Sequence, residues 1–229
     1  MNKPRGSNRE KQEALRRQLL LYAVTDRRWL APGERLTEVT ERLIVSGVTC
    51  VQLREKKLDD AALLSEARAM LDVCRRCGVP LIINDRPDIA KQAGADGVHV
   101  GQSDGTVAEA RKILGAQAII GATAHSVSEA LSAEAAGADY LGCGAVFGTA
   151  TKQDTTALSI EELRRICRTV HIPVAAIGGI DAQNLRQLRG TGIAGAAVIH
   201  ALYGAERKEE AAAELRRAAE QAVRGDGAV

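Results

Sequence analysis

The stretch Leu20-Leu21-Tyr22-Ala23-Val24-Thr25-Asp26-Arg27-Arg28 decides the fold. Residues 20–24 form a short β-type apolar run, far from the ~18 apolar residues a membrane span needs, and read as the first strand. An open doubly wound sheet would want a glycine-rich phosphate loop directly after that strand. Thr25-Asp26-Arg27-Arg28 is nothing like one. Further β-type runs recur at 48–53, 81–83, 97–100, 118–121, 140–142, 174–177 and 196–199. Helix-forming stretches such as 61–77, 107–114, 127–136 and 160–169 separate most of them. Eight strands alternating with helices predict an α/β protein, a (β/α)₈ TIM barrel.

Local punctuation agrees. Ser126-x-x-Glu129 and Ser159-x-x-Glu162 have the spacing of capping boxes at helix starts. Gly47-Val48, Gly78-Val79, Gly94-Ala95-Asp96, Gly137-Ala138-Asp139 and Gly192-Ile193 each read as a helix-closing glycine feeding the next strand. Residues 1–17 are a basic extension, either an extra helix over the barrel bottom or a loose tail, and 18–229 form a single barrel domain. The stretch 208–224 reads as the last outer helix.

At 229 residues the chain has room for one large domain, and length does not force a second. With one Trp, one Phe and three Tyr, the core is built from Ala, Val, Ile and Leu, and stacking platforms for nucleic acid are scarce. A net charge of +2 leaves no nucleic-acid footprint. No membrane span or signal-type apolar segment is present, so a cytoplasmic setting is expected, in keeping with five scattered cysteines. Cys74-Arg75-Arg76-Cys77 closes a helix and has no second pair, which suits neither a zinc ribbon nor a redox motif. A homo-oligomer is compatible with the sequence, which does not set the oligomeric state.

Function in a barrel belongs at the C-terminal strand ends. In Gln52-Leu53-Arg54-Glu55-Lys56, alternation puts Gln52, Arg54 and Lys56 on one side and Val51 and Leu53 on the other. The apolar side must meet the helices, which sends Arg54 and Lys56 to the mouth, to hold an anion or to join a salt-bridge network. Asp85 and Asp104 follow the third and fourth strands and could bind Mg²⁺ or cap helices. After the fifth strand, Thr123 could bond a substrate ring, while His125 opens a helix, serves as a structural partner, or acts as acid/base.

Thr149-Ala150-Thr151-Lys152-Gln153-Asp154-Thr155 follows the sixth strand, its hydroxyls and ammonium suiting a diphosphate as well as an ordinary polar loop. Gly178-Gly179 and Ile199-His200 follow the last two strands, the recurrent phosphate site of barrels. Two anion sites in one mouth suit two phosphorylated substrates or one bisphosphate.

In order and spacing, Gln52-x-Arg54-x-Lys56, Asn84-Asp85, His99-Val100-Gly101-Gln102-x-Asp104, Thr123-Ala124-His125, Thr149-x-Thr151-Lys152-x-Asp154-Thr155 and Ile177-Gly178-Gly179-Ile180 resemble the thiamine phosphate synthase family, over nearly all of residues 19–204. The resemblance implies an enzyme joining hydroxymethylpyrimidine diphosphate to thiazole phosphate, with thiamine phosphate and pyrophosphate as products. It further implies that Asp85 and Asp104 hold Mg²⁺. Arg54, Lys56, Asn84, Thr149, Thr151 and Lys152 would surround the diphosphate, with Arg54, Lys56 and Lys152 as the catalytic cations. Gln52 and Thr123 would orient the pyrimidine, and Gly179, Ile199 and His200 would receive the thiazole phosphate.

Three positions depart from the family pattern. His200 stands where a serine is usual, Gly148 where a proline is usual, and Thr123 replaces a serine while keeping its hydroxyl. The competing readings are a thiazole tautomerase relying on His125, and a non-catalytic binder of thiamine precursors.

Overall fold

Strand side chains alternate between two apolar environments, one inside the sheet and one against the helices. On β1 (Leu21–Val24), Tyr22 and Val24 face an inner cluster, whereas Leu21 and Ala23 face the helices. On β2 (Cys50–Leu53), Cys50 points inward while Val51 and Leu53 point outward. Gln52 shares the inner parity and is buried, as the alternation predicts.

In the computed structural model, which describes residues 8–102, 105–148 and 157–224, six further strands complete a closed parallel barrel. These are β3 (Leu81–Asn84), β4 (Gly97–Val100), β5 (Ile119–Ala124), β6 (Tyr140–Cys143), β7 (Val174–Ile177) and β8 (Gly195–Val198). Each pairs with its sequence neighbour, and β8 returns to β1 with Leu21 opposite Ala196. The outer layer holds α2 (Leu36–Val45), α3 (Asp60–Cys77), α4 (Pro87–Ala93), α5 (Val107–Leu114), α6 (Val127–Ala135), α7 (Ile160–Thr169) and α9 (Lys208–Val223). The fold is a (β/α)₈ TIM barrel.

Several boundaries differ from the sequence reading. β5 runs on to Ala124 because it is paired on both sides, Val100 opposite Ala122 and Thr123 opposite Gly142. β2 begins only at Cys50, since the Val48 amide is spent on Leu43 at the end of α2. Between β7 and β8 the crossover is a 3₁₀ turn, Asn184–Leu188, rather than an α-helix. The two expected capping boxes are half-formed. Ser126 and Ser159 accept from the third-residue amides, but Glu129 turns to the His125 amide and Glu162 to the Val127 amide. The complete box is Thr106 with Glu109.

Helix α1 (Asn8–Gln18) carries Leu15, which with the following Leu19 joins the inner cluster of Tyr22, Cys50, Ile82, Tyr140 and Ala175 at the N-terminal end of the barrel. Cys74 and Cys77 sit in the last turn of α3, and burial pushes the Cys74 thiol up to about 12. Among the described residues no helix is long and apolar enough to cross a membrane.

Candidate active site

The C-terminal mouth opens into a cavity of ≈ 410 Å³, within the range of small-molecule sites. Gln52, Arg54, Asn84, Asp85 and Thr123 line it from one side, and Gly178, Gly179, Ile199 and His200 from the other.

The cation–carboxylate side is built by β2 and β3. Asp85 takes a φ of 61°, a left-handed conformation that few non-glycine residues adopt and that tends to mark functional sites. Its amide donates to His99 O at 2.8 Å. Its carboxylate accepts from Asn84 Nδ2 at 2.5 Å and from the Lys56 ammonium. It therefore caps no helix, because α4 starts at Pro87 with Arg86 in the cap position and no side-chain cap bond. The Arg54 guanidinium also lines the cavity, and its charge is one reason the Asp26 carboxyl is held below its ordinary range, after the hydrogen bonds from Arg28.

The floor is polar. Gln52 is 5% exposed and donates through Nε2 to the Tyr22 hydroxyl at 2.6 Å. Thr123 Oγ1 lies 3.0 Å from His99 Nε2. Opposite them, Gly178 and Gly179 adopt φ of 100° and 62°, and a Cβ on Gly179 would stand 2.1 Å from Phe147 O. Only glycine allows the loop after β7 to approach the loop after β6 so closely. Asn184 Nδ2 ties that loop down through Gly179 O at 2.8 Å. His200 opens the short helix α8 (His200–Tyr203) and lies edge-on to Trp29.

Asp104, Thr149, Thr151 and Lys152 lie outside the described residues. Sequence reasoning missed Arg28, Trp29 and Tyr22 among the residues that line the cavity. The only tryptophan of an aromatic-poor chain was a usable signal, since Trp29 is 40% exposed.

Among the described residues no group of three or more His, Cys, Asp or Glu gathers to hold a metal unaided. The donor set nevertheless fits a Mg²⁺ shared with substrate, because that ion takes one or two protein carboxylates and completes its shell with water and phosphate oxygens. Asp85 would supply one such carboxylate beside Arg54 and Lys56.

A cavity lined by cations and glycine loops at the mouth of a (β/α)₈ barrel defines an enzyme acting on small molecules. The family model for thiamine monophosphate synthase matches residues 21–202, and the chain belongs to that family. It is 50% identical over 182 residues to the thiamine-phosphate synthase of Ruminiclostridium cellulolyticum, covering 80% of this chain and 86% of that one. The thiamine-phosphate synthase of Clostridium acetobutylicum is 45% identical over 192 residues, covering 84% and 90%. The solved thiamine phosphate pyrophosphorylase from Pyrococcus furiosus superposes with a TM-score of 0.84 at 38% identity, covering 92% of this chain and 100% of that one. The protein is thus a transferase of thiamine biosynthesis, a thiamine-phosphate synthase.

Proposed function

We propose that the enzyme joins 4-amino-2-methyl-5-hydroxymethylpyrimidine diphosphate to thiazole phosphate by a dissociative substitution, releasing pyrophosphate. The observation that carries this reading is the convergence on one cavity of Arg54, Asn84 and Asp85, whose carboxylate pairs with Lys56, with the Gly178-Gly179 loop opposite. Two anion-suited walls facing one space suit two phosphorylated partners.

The aminopyrimidine stabilises the exocyclic cation as the C–O bond breaks, so no protein nucleophile is required. The chain must instead stabilise the charge that develops on the leaving diphosphate. Arg54 and Lys56 supply fixed positive charge for it, with Asn84 as a donor and Lys152, Thr149 and Thr151 assigned by motif. Gln52 and Thr123 orient the pyrimidine from the floor. Gly179, Ile199 and His200 hold the thiazole phosphate, so that its ring nitrogen meets the exocyclic carbon in a near-attack geometry. Mg²⁺ held by Asp85 and Asp104 would neutralise leaving-group charge. A cytoplasmic setting fits the five free thiols.

The tautomerase reading draws on His125, which lines the cavity with Nδ1 3.1 Å from Glu129. An assay with both precursors, following pyrophosphate and thiamine phosphate together, separates the two. Stoichiometric formation of both, abolished by EDTA and restored by Mg²⁺, is expected. Thiazole isomerisation without pyrophosphate release, surviving Lys152→Ala and lost in His125→Ala, would replace the synthase reading.

A further inference from the structure

Along the cavity floor a run of side-chain hydrogen bonds crosses the barrel from β2 to β5, with Gln52, Tyr22, His99 and Thr123 lining the cavity and Tyr140 behind them. Gln52 Nε2 meets Tyr22 Oη at 2.6 Å, which meets Tyr140 Oη at 2.8 Å. Tyr140 Oη meets His99 Nδ1 at 3.0 Å, and His99 Nε2 meets Thr123 Oγ1 at 3.0 Å. Two barrel positions give up a side chain to seat these rings. A Cβ on Gly121 would stand 2.1 Å from Tyr140 Cζ, and one on Gly142 would stand 3.0 Å from His99 Cε1.

Each phenol owns one proton, and burial raises both phenols well above the ordinary tyrosine range, so both keep it. The direction of every bond then follows from its first member. An amide nitrogen only donates, so the Tyr22 proton passes to Tyr140 and the Tyr140 proton passes to His99 Nδ1. Nδ1 is the acceptor, and the ring proton sits on Nε2, donating to Thr123. The threonine proton remains outside the run, on a residue that lines the cavity, as does the Gln52 carbonyl at the other end. Turning the Gln52 amide over would reverse every bond together, leaving Thr123 as an acceptor and Gln52 as a donor.

We propose that this run is a polarity lock, holding His99 as the neutral Nε2–H tautomer and making Thr123 a hydrogen-bond donor to the cavity while Gln52 offers an acceptor. Tyr22, Tyr140 and His99 are positioning residues, not catalytic ones. The pairing of one donor with one acceptor suits a ring that carries a bare nitrogen and an amino group, a specificity that rests on the aminopyrimidine reading above. A pyrimidine bearing a carbonyl in place of the amine would face the Gln52 oxygen with another acceptor and be rejected.

The test is a long-range ¹H–¹⁵N correlation spectrum of the full chain labelled with ¹⁵N-histidine, without substrate, His99 being assigned by its loss in His99→Gln. The Nε2–H pattern is expected. An Nδ1–H or doubly protonated ring would overturn the lock. Tyr140→Phe removes the donor to Nδ1 and should shift His99 toward a mixture of tautomers, while raising KM for the pyrimidine diphosphate about three- to tenfold with kcat nearly unchanged. A merely structural role would lower kcat through loss of folded enzyme and leave KM alone. Tyr203→Phe, another buried phenol that bonds Thr40 instead, should move neither readout. An unchanged His99 tautomer in folded Tyr140→Phe would overturn the proposal. The spectrum needs no turnover, so an Nε2–H ring in a protein that fails the two-precursor assay would support the lock and remove the synthase reading instead.

Discussion

The His200 ring stands edge-on to the Trp29 indole, with centroids 4.4 Å apart and planes inclined at 68°, tying the loop after β8 to the loop after β1. An edge-to-face pair of this kind contributes about 0.5–1.5 kcal/mol beyond its buried area. The imidazole therefore arrives already oriented by a neighbour from the far end of the chain.

Trp29→Ala should release that ring and raise KM for thiazole phosphate about two- to tenfold, leaving KM for the pyrimidine diphosphate unchanged. Steady-state kinetics with each substrate varied in turn checks this. Equal rises for both substrates would point to general damage at the mouth.

On the proposed mechanism Lys56→Ala should lower kcat by at least about 100-fold, through loss of a fixed charge that would face the leaving group. Stability should barely change, since the Lys56 side chain is 47% exposed and a screened pair is worth ~1 kcal/mol or less. Thermal melts beside turnover measurements decide it. A large fall in Tm with modest loss of kcat would make the Lys56–Asp85 pair structural.

Gly121→Ala should destabilise the fold by about 1–3 kcal/mol or more, because its Cβ would meet the buried Tyr140 ring, which has no room to retreat. Gly148→Ala should be close to neutral, as nothing lies within 4 Å of a Cβ there. Gly148→Pro should slow hydrogen exchange in the loop that follows, since it restricts φ. Denaturant midpoints and exchange rates report these outcomes.

Burial lifts the thiols of Cys74 and Cys167 to about 12, against 9.0 for an ordinary cysteine. Above pH 9 the unfolded chain releases those protons and the folded one does not, so stability present at neutral pH is lost as pH rises from 9 toward 12. The slope is about 1.4 kcal/mol per pH unit for each group. Denaturation at pH 8 and pH 10.5 should show the loss, reduced in Cys74→Ala relative to wild type. Equal losses in the two proteins would assign the alkaline limb to other groups.

Asp85 shows why the mouth was only partly legible. A carboxylate two residues before Pro87 reads equally as a cap or as a ligand, and its neighbours in sequence do not choose between them. Lys56, 29 positions away, does, by drawing the carboxylate into the mouth. The glutamate of one expected capping box went elsewhere for a similar reason, because Glu162 found the Val127 amide on a neighbouring helix. Asp104, Thr149, Thr151 and Lys152, which carry much of the family motif, fall outside the described residues.

Read alone, the sequence determined the barrel, its eight strands and which face of β2 looks inward. These follow from alternation, helix-closing glycines and strand spacing, all of them local properties of the chain. Only the tertiary structure decided that Tyr22 meets Tyr140 across 118 residues, that Gly121 exists to admit that ring, and that Trp29 braces His200. Such contacts depend on which strands become neighbours and how far each side chain reaches across the closed barrel. No pattern within a single strand or loop encodes either distance.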